Sequence, residues 1–268
     1  MPRTTAALTV IAAIALAACG EKKVATPEVS TPSVTESGTA AGTATTTITS
    51  AAVAPVTYAD AETSFRHGEY AEAVGKFESY TRDNPDNAWG QYMLGLAAWK
   101  SGQHERALQA FDAALAIDPS HRKSLLNSAR VLLETDQPEE ALDRVQKALS
   151  IEPLSNDGLR LLGRAQAELG HFDDAVAAYQ RALAIDDTDV WAMNNLGYLY
   201  LQQGRAEAAL PPLARAVEIR GNVPVFQNNL GTALEGSGHL SAAKTAYESA
   251  LQADSTYEKA SVGLARVT

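Results

Sequence analysis

The side chains able to do chemistry in this chain are five histidines, a single cysteine, and a set of arginines, asparagines and aromatics that recurs at regular spacing. Metal binding or acid–base work would need histidines to converge. His67, His104, His121, His171 and His239 instead fall in successive stretches that read as turns, so they point away from successive segments, not toward a common centre. No GxSxG, HExxH or glycine-rich phosphate loop accompanies them. The acidic pairs Glu139–Glu140 and Asp173–Asp174 stand where helices start, and the helix dipole accounts for negative charge there. The expected class is therefore a non-enzyme with no cofactor and no metal. Cys19, the only cysteine, excludes an internal disulfide and a cysteine metal site.

Composition narrows the partners. The chain has 268 residues, is 46% hydrophobic, and carries a net charge of -10 with a pI near 5.0. A nucleic-acid binder needs a basic face to meet phosphates, and none is expected here.

What positions Cys19 is the N-terminal stretch MPRTTAALTVIAAIALAAC. One arginine precedes an uncharged, mostly apolar run, which is signal-peptide anatomy. Its end, Leu16-Ala17-Ala18-Cys19, resembles the lipobox of bacterial lipoproteins. The resemblance implies that residues 1–18 are removed and that the Cys19 thiol is acylated, anchoring the chain in a membrane. Gly20, in place of the aspartate that retains such proteins at the inner membrane, implies the outer membrane facing the periplasm. Residues 19–55, rich in Thr, Ser, Ala and Pro, have too few large apolar side chains to offset the entropy of ordering, and read as a disordered tether.

What positions the remaining residues is a repeat. Six blocks begin at Ala54, Ala88, Arg122, Asn156, Val190 and Pro224, each 34 residues after the last (54–87, 88–121, 122–155, 156–189, 190–223, 224–257), and a partial block follows at 258–268. The eighth position is always Gly or Ala, and the twentieth always Ala, from Ala73 to Ala243. The twenty-fourth is bulky in most blocks: Phe77, Phe111, Val145, Tyr179, Leu213 and Tyr247. The fifteenth is Gly in five blocks and Asp136 in one, where a helix must stop. Small residues let two helices approach while the large one fills the gap between them.

This pattern resembles the tetratricopeptide repeat (TPR) family. The resemblance implies an all-α, right-handed superhelical solenoid of six helix-turn-helix repeats over 54–268, with a C-terminal capping helix and first helices on the concave side. Two departures carry expectations of their own. Tyr80 replaces a small residue, and Pro211-Pro212 should kink a second helix or delay its start. The cap is expected to turn Val262 and Leu264 inward and Lys259 and Arg266 to water.

In TPR proteins the groove is lined from fixed positions of the first helix. Here those positions hold Trp89, Tyr92, Trp99, Lys123, Asn127, Arg130, Arg160, Arg164, Trp191, Asn194, Asn195, Tyr198, Asn228 and Asn229. Asparagines can bond an extended peptide backbone, arginines a carboxylate, and aromatics can anchor apolar side chains. Equally, the asparagines can serve neighbouring helices and the tryptophans can pack between blocks. Arg130 and Arg164 are expected to lack an acidic partner on their own helix, whereas Arg160 has Asp157 and Glu168 near. Arg160, Arg164 and Asn195 partly resemble a carboxylate clamp, but Val225 stands where a second cation belongs. The resemblance implies a scaffold that holds a protein or extended peptide, of the kind found in pilus or secretion-system assembly. The alternative is a docking regulator of an envelope enzyme such as a peptidoglycan hydrolase.

Overall fold

The computed structural model describes residues 55–268. The signal segment, Cys19 and the tether up to Ala54 lie outside the described residues. Those described fold into helices and turns only, thirteen helices in all. The first helices of the hairpins are α1 (Tyr58–Arg66), α3 (Ala88–Lys100), α5 (Arg122–Glu134), α7 (Asn156–Glu168), α9 (Val190–Gln202) and α11 (Pro224–Gly236). The second helices are α2 (Tyr70–Asp83), α4 (His104–Ile117), α6 (Pro138–Ile151), α8 (Phe172–Ile185), α10 (Ala206–Ile219) and α12 (Leu240–Ala253), and α13 (Glu258–Val267) ends the array.

Each hairpin turns through a left-handed residue. Five are glycines with φ between 69° and 81°, and Asp136 takes the same place in the third hairpin at φ 59°. Aspartate tolerates that region better than most L-residues, so the turn survives the exchange. Inside each hairpin the close approach is literal. A Cβ at Gly95 would stand 2.5 Å from the Phe111 ring, and at Gly163 and Gly231 it would stand 2.7 Å from Tyr179 and Tyr247. The bulky residue of the second helix thus occupies the volume that the first helix vacates. Tyr80 is accommodated by the same trade: Gly90 on the next helix leaves room for its ring, and its hydroxyl accepts a hydrogen bond from Asn87 at 2.9 Å.

Consecutive first helices from α3 to α13 touch one another, whereas second helices show no comparable pairing. The first helices therefore crowd the inner side of a curved stack, and the core runs along the rod as a series of clusters bridging neighbouring helices.

One alternative is excluded and one expectation corrected. Pro211 and Pro212 do not delay α10, which starts at Ala206, runs for 14 residues like its counterparts and holds both prolines inside the helix. Pro211 and Pro212 withhold the donors for the Glu207 and Ala208 carbonyls on a face where Glu207 and Pro211 are exposed, while Ala209 and Leu213 stay fully buried and hold the register. In α13, Val262 is 58% exposed and not inward. The packed face is Ala260, Gly263, Leu264 and Val267, an i, i+3, i+4, i+7 stripe that excludes Val262. Arg266 is exposed, as expected, and pairs at the surface with Glu235 through Nε at 2.7 Å and Nη2 at 2.8 Å.

Candidate functional site

The inner wall is a chain of polar contacts between first helices. Trp89, 42% exposed, donates from Nε1 to the Tyr58 hydroxyl at 2.7 Å, and Lys123 Nζ lies 4.8 Å above its ring. The buried Tyr92 packs beside it and accepts a hydrogen bond from Asn127 Nδ2 at 3.1 Å. Asn127 Oδ1 in turn accepts from Arg130 at 2.6 Å. Arg130 reaches across to Asp157 of the next repeat at 3.0 Å, and Asp157 also pairs with Arg160. Burial pushes the Asp157 carboxyl up, but the Arg130 and Arg160 guanidiniums outweigh it and hold the group below the usual carboxylate range. Arg160 continues the chain to Asp189 at 3.0 Å. Asp189 is the N-cap of α9, accepting from the backbone N–H groups of Trp191 and Ala192 at 3.0 Å each, and from Asn156 Nδ2 at 2.7 Å.

This arrangement corrects the expectation for Arg164, which does have an acid four residues on, Glu168 at 2.8 Å, whereas Arg130 has no acid partner on its own helix and pairs instead with Asp157 of the next first helix. Glu168 serves Arg164, leaving Arg160 to Asp157 and Asp189. Arg164 also donates to the Leu133 carbonyl at 3.0 Å, and Trp99 Nε1 donates to Glu134 at 2.7 Å.

Further along, charge gives way to amides. Asn194, Asn228 and Asn229 are all buried, and Asn229 Nδ2 donates to Asn194 Oδ1 at 2.9 Å across the repeat boundary. Asn195 is half-buried beside the Tyr179 hydroxyl. Burial pushes the Tyr179 phenol far up, against the opposing pull of Arg164 and Asn195. Trp191 packs edgewise on Phe226 at 5.0 Å and is 42% exposed, and Tyr198 is 48% exposed.

Three clefts open on this wall. One of about 300 Å³ lies among Tyr92, Lys123, Asn127 and Arg130. A second of about 220 Å³ is bounded by Trp99, Arg130, Arg160, Arg164 and Asn195. The third, about 380 Å³, is floored by Ala167, Tyr179 and Leu199 and walled by Arg164 and Tyr198. Shared lining residues, Arg130 and Asp157 and then Arg164 and Asn195, join them into one groove. Nine of the predicted residues meet there, from Tyr92 to Tyr198. Trp89 adjoins through Tyr92, whereas Trp191, Asn194, Asn228 and Asn229 line none of the three clefts.

Sequence reasoning passed over Asp189, Glu134 and Tyr179. One signal was available. Three of the inter-helix bonds, Tyr92–Asn127, Trp99–Glu134 and Asn194–Asn229, join residues 35 apart, one repeat plus one residue. Among the described residues no group of three or more His, Cys, Asp or Glu is placed to hold a metal ion, and no helix is long and apolar enough to cross a membrane.

Stacked two-helix units with a polar groove on the first-helix side define an α-helical repeat solenoid. Family models described as TPR repeat or tetratricopeptide repeat match residues 58–122, 98–165, 163–204, 190–223 and 226–257, and none of them is a catalytic family. The chain belongs to the tetratricopeptide repeat family. No curated protein sequence matches it. Among solved structures, MamA (residues 41 to the end) from Desulfovibrio magneticus RS-1 is 22% identical with a TM-score of 0.57, covering 60% of this chain and 91% of that one. TTC0263, a thermophilic TPR protein from Thermus thermophilus, is 20% identical with a TM-score of 0.58, covering 68% and 98%. YrrB, described as a TPR protein with an unusual peptide-binding site, is 22% identical with a TM-score of 0.53, covering 69% and 96%. These likenesses concern the fold.

Proposed function

We propose that this protein is a lipid-anchored TPR scaffold of the bacterial envelope, which holds an extended segment of a partner protein in its inner groove and helps assemble a pilus- or secretion-type complex. The observation that carries the reading is the continuous groove from Tyr92 to Tyr198 along four consecutive first helices, in which aromatic side chains at the two ends, Tyr92 and Trp99 on α3 and Tyr198 on α9, flank the guanidinium groups of Arg130, Arg160 and Arg164. Aromatic and arginine side chains of this kind dominate interface energies. YrrB, of like fold, has a peptide-binding site, which lends support to this use of the groove. The anchor rests on Leu16-Ala17-Ala18-Cys19 at the end of an apolar run, and the outer-membrane location on Gly20.

Crosslinking in intact envelopes tests the groove. Partners crosslinked to the wild-type chain should be lost from an Arg164→Ala, Tyr198→Ala variant that keeps the wild-type helical signal. An unchanged partner set would refute groove binding. Palmitate labelling tests the anchor, and label that persists in Cys19→Ser would refute it.

A further inference from the structure

Of the arginines lining the groove, the three on the central stretch, Arg130, Arg160 and Arg164, are not equivalent. Arg130 and Arg160 share Asp157 between two repeats, and each is about one quarter exposed, at 27% and 26%. Their guanidiniums are committed to holding α5, α7 and the start of α9 together. Arg164 is 40% exposed, and its acid is Glu168 on its own helix, a surface pair that another carboxylate can replace at little cost. Among the described residues its Nη1 has no partner. Arg164 also stands at the rim shared by the second and third clefts. Beside it the third cleft is floored by the Tyr179 ring, Ala167 and Leu199, with Tyr198 exposed over one side.

Resting on the groove reading above, we infer that this part of the groove recognises a two-residue signature in its partner: an internal Asp or Glu on Arg164, next to a large apolar side chain in the cleft between Tyr179 and Tyr198. Charge favours an acidic ligand. The chain as a whole is at -10, yet five cations against four carboxylates line the three clefts. Continuity favours an internal acid over a chain terminus. The groove runs on past Arg164 toward Lys123 on one side and Tyr198 on the other, so no wall stops a bound chain there.

The test uses the detergent-purified full chain and a random decapeptide library displayed with its C-termini fused to the carrier. Selected sequences should pair an acid with Phe, Tyr, Leu or Met within two residues. A selected peptide, made with an amidated end, should weaken about tenfold on Glu→Gln, the effect of one charge-assisted hydrogen bond. Arg164→Gln should abolish that difference. Glu168→Gln, by removing the competing acid, should tighten the peptide severalfold, whereas a merely structural Arg164–Glu168 pair would make both variants weaken it. Tyr198→Ser should remove the preference for the apolar residue alone. Selected peptides that lack the signature, or that ignore Arg164 and Glu168, overturn this inference while leaving groove binding intact. A library with no selectable binders, or binders indifferent to every groove variant, overturns the groove reading as well.

Discussion

The inner walls of the third and fourth hairpins and of the fifth and sixth hairpins are glued by different chemistry, although Arg160 in one and Asn194 and Asn228 in the other hold the same fifth position of the repeat. In the former, Arg130, Asp157, Arg160 and Asp189 form an ion-pair chain. In the latter, Asn194, Asn228 and Asn229 exchange uncharged hydrogen bonds and are nearly closed to water. The repeat therefore fixes where a polar side chain stands without fixing whether it is available. The charged wall retains enough exposure to offer a site at Arg164, and the amide wall has spent its polar groups on its neighbours.

Asp189 is the joint between the two regimes, and its loss should have the largest effect. Asp189→Ala removes a helix cap, the nearly buried counter-charge beside Arg160 and the acceptor of Asn156, so it should cost roughly 3 kcal/mol in urea unfolding followed by circular dichroism. Asn229→Ala comes next. It leaves the buried Asn194 oxygen without its donor, at a cost of about 2 kcal/mol that should be the same in low salt and in 1 M salt.

Asp157→Asn, in the charged and half-exposed wall, should cost only about 1 kcal/mol, and that cost should shrink in 1 M salt. It should also flatten the acid limb of stability. Because the folded carboxyl lies below its ordinary value, its contribution is complete above the unfolded value of about 3.9 and fades as pH falls through the folded value. The wild-type melting temperature should thus drop faster than that of Asp157→Asn as the pH falls below about 4. If the two walls responded alike to salt and acid, the distinction between them would fail.

The smallest effect belongs to His121, the N-cap of α5, whose Nδ1 accepts from the Ser124 N–H at 3.3 Å. Burial lowers its proton affinity, with Asp118 opposing and Lys123 assisting. The folded form resists protonation, so stability should ease downward as pH drops below about 6.5 and level off once the folded value is passed. His121→Asn keeps a capping side chain and should remove that slope in a pH series of melting curves.

The legible and illegible parts of the sequence divide along the same line. The Gly95–Phe111 and Gly231–Tyr247 contacts were readable because the same small–large exchange recurs in hairpin after hairpin at fixed spacing. The left-handed turns were readable for the same reason, Asp136 included. Glu168 was also within reach, at an ordinary four-residue step from Arg164. The partner of Arg130 was not. Asp157 is 27 positions on, and what brings them together is the offset between adjacent first helices, which no intrahelical spacing encodes. The asparagines were ambiguous in kind, because an amide bonds a neighbouring amide as well as a peptide, and only burial distinguishes the two uses. Val262 was misjudged by reading hydrophobicity without helical phase.

Every helix of the described array touches only near neighbours along the chain. A pull applied at its two ends is therefore carried in series, with no tie spanning the rod to share the load. Such a body should yield in instalments, each 34-residue unit releasing up to roughly 115 Å of extended chain, and behave as a compliant spring and not as a rigid strut.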